Sequence, residues 1–174
     1  MFRTTLAVAA AFALAAPAVA SAQAAKPNDA QIAHIAYTAG ELDIAAANQA
    51  LKKSHDKQIR GFAQEMVRDH TAVNKQALAL VGKLHVKPEP NPTSASLQAS
   101  ASAKLKDFAK LSGKAFDKAY INNEVAYHKT VNGALENTLI PDAQNAELKS
   151  FLQTGLKLFQ EHQKHAEMIA AGYR

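Results

Sequence analysis

Apolar residues recur three and four positions apart in four long segments of the chain, the spacing of amphipathic helices. The first segment opens at Asn28 or Asp29, either of which makes a good N-cap, and runs to Lys53. Its stripe is Ile32, Ile35, Ala39, Leu42, Ala46 and Ala50. The second begins near Ser54 or Asp56 and continues to Leu84 through Ile59, Phe62, Met66, Val73, Ala77, Leu80 and Val81. Pro88, Pro90 and Pro92 then break the pattern and predict an extended connection. A weaker helix is expected from Ser96 to Leu111, ended by Ser112-Gly113. The third main helix spans Lys114 to Thr138, with Phe116, Tyr120, Val131 and Leu135 on one face. Pro141-Asp142 reads as the start of the fourth, which reaches Ala171 and carries Leu148, Phe151, Gly155, Phe159, Ala166 and Ile169.

Short loops join helices one and two, and three and four, so each pair should form an antiparallel hairpin. About 28 residues link the hairpins, enough to run the length of a helix of about 25 residues. The fold expected is an all-α, ferritin-like four-helix bundle of two antiparallel hairpins. Its long Pro-containing crossover would include a short extra helix. A simple up-down bundle with a long loop is the alternative.

Residues 1–22 follow the pattern of a cleavable secretory signal. Arg3 supplies the positive start, an apolar run extends from Leu6 to Ala20, and Ala20-Ser21-Ala22 fits the small-residue cleavage rule. Cleavage is expected after Ala22, or next best after Ala20, leaving residues 23–174 as one bundle domain. The run is short, alanine-rich and interrupted by Pro17, a poor membrane anchor. With no cysteine in the chain, lipidation of a leader cysteine and disulfide bracing are both excluded. No later apolar stretch approaches the roughly 18 residues of a transmembrane helix, and alternating β-barrel segments are missing. These features point to a periplasmic protein, with peripheral envelope association as a variant. The net charge is +5, but Lys and Arg are scattered without interleaved aromatics, which argues against nucleic acid as a partner.

The candidate chemistry lies where polar residues interrupt apolar stripes. His70 falls in the middle of the second stripe, and His162 lies between Phe159 and Ala166 on the fourth. Glu124 and His128, four apart, share a face with Tyr120, Val131 and Leu135. Buried imidazoles and carboxylates are costly unless paired or metal-bound, so three helices that each turn one inward are expected to bring them together. His70, Glu124, His128 and His162 would supply three nitrogens and one oxygen to a single zinc, iron, manganese or copper ion. The same four could instead form a metal-free polar network that only specifies packing. On helix one, Glu41 lies nearly opposite the main stripe and borders only a weaker group of Tyr37, Ile44 and Leu51. A di-iron carboxylate centre is disfavoured, because Val67, Val125, Phe159 and His162 stand where Glu-x-x-His would need glutamate. No catalytic motif is present: no cysteine nucleophile, Gly-x-Ser-x-Gly elbow or glycine-rich phosphate loop. His34, His55 and His85 lie outside the stripes and read as solvated.

The segments AYTAGELDIAAANQALKKS, IRGFAQEMVRDHTAVNKQ, LSGKAFDKAYINNEVAYHKTV and LKLFQEHQKHAEMI resemble an exported bacterial family. Its members are labelled a domain of unknown function or "predicted outer membrane protein". The resemblance implies a ferritin-like bundle in the periplasm or at the cell envelope, with recurrent polar positions at Glu41, Asp69, His70, Asp117, His128 and His162. It adds Glu41 to the metal candidates and implies no established activity. Three functional readings follow: a metal-binding periplasmic bundle, a metal-free structural or interaction module of the envelope related to stress, and a metal-dependent oxidase or peroxidase-like enzyme.

Overall fold

The computed structural model describes residues 26–173. The secretory-signal segment, residues 1–22, lies outside them. Helix α1 spans Asp29–Lys53 and begins with a capping box, in which the Asn28 side chain accepts from Gln31 N–H and the Gln31 side chain reaches back. Helix α2 spans Lys57–Lys83, capped by Asp56. The crossover helix α3, Pro92–Ala109, starts earlier than the proline spacing suggests. Pro92 occupies the first turn, where a missing N–H costs nothing, and Asn91 caps the helix. Helix α4 spans Gly113–Ala134; Gly113, at φ +53°, makes the sharp entry that a residue with a Cβ would resist.

Helix α4 does not stop there. It passes through a π-helical turn, Leu135–Leu139, into the short helix α5, Ile140–Asp142, so Pro141-Asp142 closes this run and does not open the next. Helix α6, Ala146–Ala171, starts at Asn145, whose side chain accepts from the Glu147 and Leu148 N–H groups. A side-chain cap satisfies two orphan donors, which a proline cannot do. Asp29 pins the connecting loop to the start of α1 by accepting from the Gln144 and Asn145 N–H groups at 2.8 and 2.9 Å.

Helices α1 and α2 pair as one antiparallel hairpin, and α4 and α6 as the other, with α2 against α6 and α1 against α4. The crossover runs along α1 from end to end. Glu89 N–H donates to Ala30 C=O near its start, and Lys53 Nζ donates to Ala109 C=O at its finish. Helices α2 and α4 therefore run the same way, which is the ferritin-like topology rather than a simple up-down order. No described helix is long and apolar enough to cross a membrane.

Two apolar clusters fill the bundle. Near the C-terminal end of α1, Phe62, Met66, Phe108, Phe116 and Tyr120 form a ring-rich core. Near its N-terminal end, Ile32, Ile35, Leu135, Leu139, Leu148 and Leu152 form an aliphatic one. The polar layer lies between them.

Candidate metal centre

Each bundle helix delivers a polar side chain to this layer: Asp43 from α1, His70 from α2, Glu124 and His128 from α4, His162 from α6. All five are at most 3 % exposed. Asp43 Oδ2 lies 3.2 Å from His70 Nε2 and 3.4 Å from His128 Nε2. The three imidazole centroids are 5.4 to 5.8 Å apart, and potential ligand atoms of the three rings lie within 4.8 Å of one another. The His70 ring is stacked on Phe159 at 4.8 Å, which fixes its plane.

Hydrogen bonding identifies the open atoms. His128 Nδ1 is 3.0 Å from the Glu124 main-chain oxygen, which can only accept, so Nδ1–H donates and Nε2 carries the lone pair. His162 Nε2 stands 3.0 Å from Asp69 Oδ2 and donates to it, leaving Nδ1 bare and buried. Asp69 is held by Arg68 through contacts of 2.7 and 3.0 Å. Both Asp43 oxygens, both His70 nitrogens, His128 Nε2, His162 Nδ1 and Glu124 Oε2 are buried without a hydrogen-bond partner.

Burial pushes the Asp43 carboxyl up, but the neighbouring imidazoles, His70 foremost, outweigh it and hold the group below its ordinary value. Burial holds His128 down at about 4, against the pull of Asp43, so the ring is neutral at neutral pH. Burial likewise lowers His162, although Asp69 opposes it. Glu124 is pushed well above the usual carboxylate range by burial and then by the Asp43 charge. The two carboxyls of the layer are thus driven in opposite directions.

The four residues read from the stripes meet here, and the carboxylate nearest His70 and His128 is Asp43, not Glu124. Glu124 Oε2 stands 3.8 Å from His128 Nδ1. Glu41, added through the resemblance, is a correction. It is exposed, outside the cluster, and its Oε1 accepts from Asn74 Nδ2 at 2.7 Å. Two residues along a helix is about 200° around it, so Glu41 and Asp43 cannot face the same core. Asn74 in turn packs so closely on α1 that a Cβ on Gly40 would overlap its amide. Asp117 is buried but absent from the metal-competent groups among the described residues. His165 pairs with Glu65 at 2.7 Å on the outer side of α2 and α6. His55 and His85 are exposed, and His34 sits beside Thr38 at 3.4 Å.

The fold and this layer define an all-α, ferritin-like bundle with a buried histidine-carboxylate cluster. The chain belongs to the family described as Domain of unknown function (DUF4142), which matches residues 14–169. Among solved structures it is similar to a DUF305 protein from Streptomyces coelicolor, described as secreted. The TM-score is 0.69 at 9% identity, covering 82% of this chain and 91% of that one. At that identity the likeness concerns the fold alone. None of the curated proteins matches.

Proposed function

We propose that this is an exported, periplasmic protein that binds one transition-metal ion in the middle of its helical bundle. His70, His128, His162 and Asp43 would be the ligands, with Glu124 beside them. One observation carries the reading: the bare Nε2 of neutral His128 faces the ionised Asp43 Oδ2 at 3.4 Å, with no donor between them. Two buried lone pairs facing each other are unfavourable, and a cation between them removes the conflict. Ligand atoms around a tetrahedral ion with bonds of about 2.0–2.1 Å lie roughly 3.3 Å apart, close to the spacing of Asp43 from His70 and His128. The Asp69–His162 hydrogen bond, backed by Arg68, is the kind of outer contact that orients a ligating imidazole. Three imidazoles and a carboxylate suit zinc, copper, iron or manganese. Export is supported by the leader pattern and by a structural relative described as secreted.

Metal analysis of protein isolated from the periplasm tests this. The expected result is about one ion per chain, with a fall in melting temperature on chelation. Substoichiometric metal together with unchanged melting would replace the reading with a metal-free network that only sets packing. The layer contains no motif that assigns a reaction.

A further inference from the structure

Lysine and arginine are scattered along the sequence, but the fold gathers them at one end of the bundle. Helices α1, α3 and α6 finish there, and α2 and α4 begin there. The eight residues of each helix nearest this end, with the adjoining loops, carry ten lysines and arginines. Only four acids, Asp56, Asp107, Asp117 and Glu167, accompany them. At the opposite end the same span of each helix, with its loops, carries four cations against five acids. The net positive charge therefore resides at the end where Phe62, Phe116 and Tyr120 fill the core.

Few of these charges are neutralised. Asp56 caps α2, Asp117 is buried, and Asp107 pairs with Lys110 at 2.9 Å. Lys52, Lys57, Lys106, Lys114 and Lys118 are exposed and in no ion pair among the described residues. At the other end, Lys26 and Lys83 are held by Asp142 and Glu147. Lys53 Nζ donates to Ala109 C=O and lies over the Phe116 ring, so the basic ends of α1, α3 and α4 share one corner.

Local stability does not account for this arrangement. Lys106 and Lys110 are four residues apart, as are Lys114 and Lys118, a spacing at which like charges repel. Lys57 and Lys114 stand in the first turns of α2 and α4, where a cation opposes the helix dipole. No acid offsets them in either turn. Charge concentrated at a cost to the isolated fold suits attraction to an anionic partner. The cations are spread over the ends of several helices, a broad face without the aromatic side chains that stack on bases. Arg60, the arginine among them, is occupied by the Leu51 and Ser54 carbonyls. What remains is lysine, a hydrated point charge that suits diffuse attraction to lipid headgroups more than forked recognition of nucleic acid.

We propose that this end of the bundle rests on an anionic phospholipid surface, held there by electrostatic attraction. No described helix can cross a bilayer, so the contact is peripheral. The inference takes its setting from the export reading and is independent of the metal.

The test is sedimentation of the purified protein with vesicles of phosphatidylcholine, with or without about 40% phosphatidylglycerol. Binding is expected to the anionic vesicles at about 0.1 M salt, with loss at about 0.5 M, and none to the neutral ones. A lysine near such a surface contributes about fivefold to affinity. Lys106→Gln, Lys110→Gln and Lys114→Gln together should therefore weaken binding about a hundredfold. Lys26→Gln, Lys83→Gln and Lys87→Gln remove the same charge from the opposite end and should change it less than about twofold. That end is a helix length of roughly 37 Å away, beyond the roughly 10 Å Debye length at this salt. Should the first triple variant not fold, Lys52→Gln with Lys118→Gln takes its place, with a loss of about twentyfold. Absence of binding to anionic vesicles, equal binding to neutral ones, binding that survives high salt, or equal losses from the two ends would each overturn the proposal. Retention on duplex DNA without binding to vesicles would also overturn it, in favour of nucleic acid. Cell fractionation judges export separately: protein found only in the cytoplasm would remove that reading and leave the vesicle result standing.

Discussion

At the α1 C-terminal end, Phe62, Phe108, Phe116 and Tyr120 pack ring against ring, with centroids 5.8 to 6.4 Å apart. At the other end, aliphatic side chains surround a cavity of about 470 Å³. The same helices build both ends, but packed rings fill one, whereas the aliphatic side chains of the other leave space between them. A dense aromatic block resists rearrangement because interior packing leaves it nowhere to move. The polar layer therefore lies between a dense block and a looser half, with its unpaired nitrogen and oxygen atoms sealed from solvent. On the proposed metal reading, that rigidity would hold the buried ligands in place.

That contrast can be broken by substitution. Phe116→Ala in the aromatic block should cost about 3–5 kcal/mol in urea unfolding, whereas Val131→Ala on the cavity wall should cost about 1 kcal/mol or less. Equal losses would mean that the two ends are packed alike. Asp43→Asn keeps the shape of the layer but removes its charge. It should lower metal affinity about a hundredfold while leaving the circular dichroism spectrum unchanged.

The pH response of metal-free protein is the third test. The folded value of His128, about 4, lies below its ordinary 6.5, so the unfolded chain takes up the proton first. Its contribution is complete above about pH 6.5 and is lost as pH falls toward 4, by on the order of 2–3 kcal/mol. His128→Gln should flatten that slope in denaturation curves recorded across this range. Glu124 behaves oppositely, because its carboxyl is raised; its contribution is full at low pH and fades as pH rises through the folded value. Glu124→Gln mimics the protonated form, so it should flatten that fall of metal-free stability with rising pH in denaturation curves. The smallest effect is expected from Glu41→Gln, which should leave metal content unchanged and stability within about 0.5 kcal/mol, measured by elemental analysis and melting.

Much of the layer is legible because a polar residue inside an apolar stripe is conspicuous. His70, Glu124, His128 and His162 each interrupt such a stripe, and all four are buried. Asp43 is harder to see. Between Ala39 and Ala46, both Leu42 and Asp43 fit the helical spacing, and hydrophobicity alone favours Leu42. The structure buries Asp43 and leaves Leu42 half-exposed against α3. With alanine at 39, 46, 47 and 50, α1 has little bulk to dictate its rotation, so its neighbours decide it. Glu41 is implied by the family resemblance alone, and the rotation that turns Asp43 inward turns Glu41 out. Asp69 shows the reverse case: partly exposed, it escapes a search for buried groups, yet it sets the tautomer of His162. The sequence pattern puts the start of the crossover helix a few residues late, because Pro92 reads equally as a breaker and as a first-turn residue. The half-buried Val73 and Ala77 look like core positions in the sequence, but they border empty space. Periodicity shows which face points inward, not whether anything fills the interior.

The pairing of helices into hairpins also bears on when the polar layer comes into being. Asp43 and His70 arrive on the first hairpin, and Glu124, His128 and His162 on the second, with the whole of α3 threaded between. Each hairpin can form from contacts close in the chain, but the first brings Asp43 and one imidazole and the second brings Glu124 and the other two. The cluster is complete only when the two halves dock. If the chain is exported unfolded and binds metal as proposed, it would carry no finished site across the membrane, and the compartment where docking occurs would choose the ion.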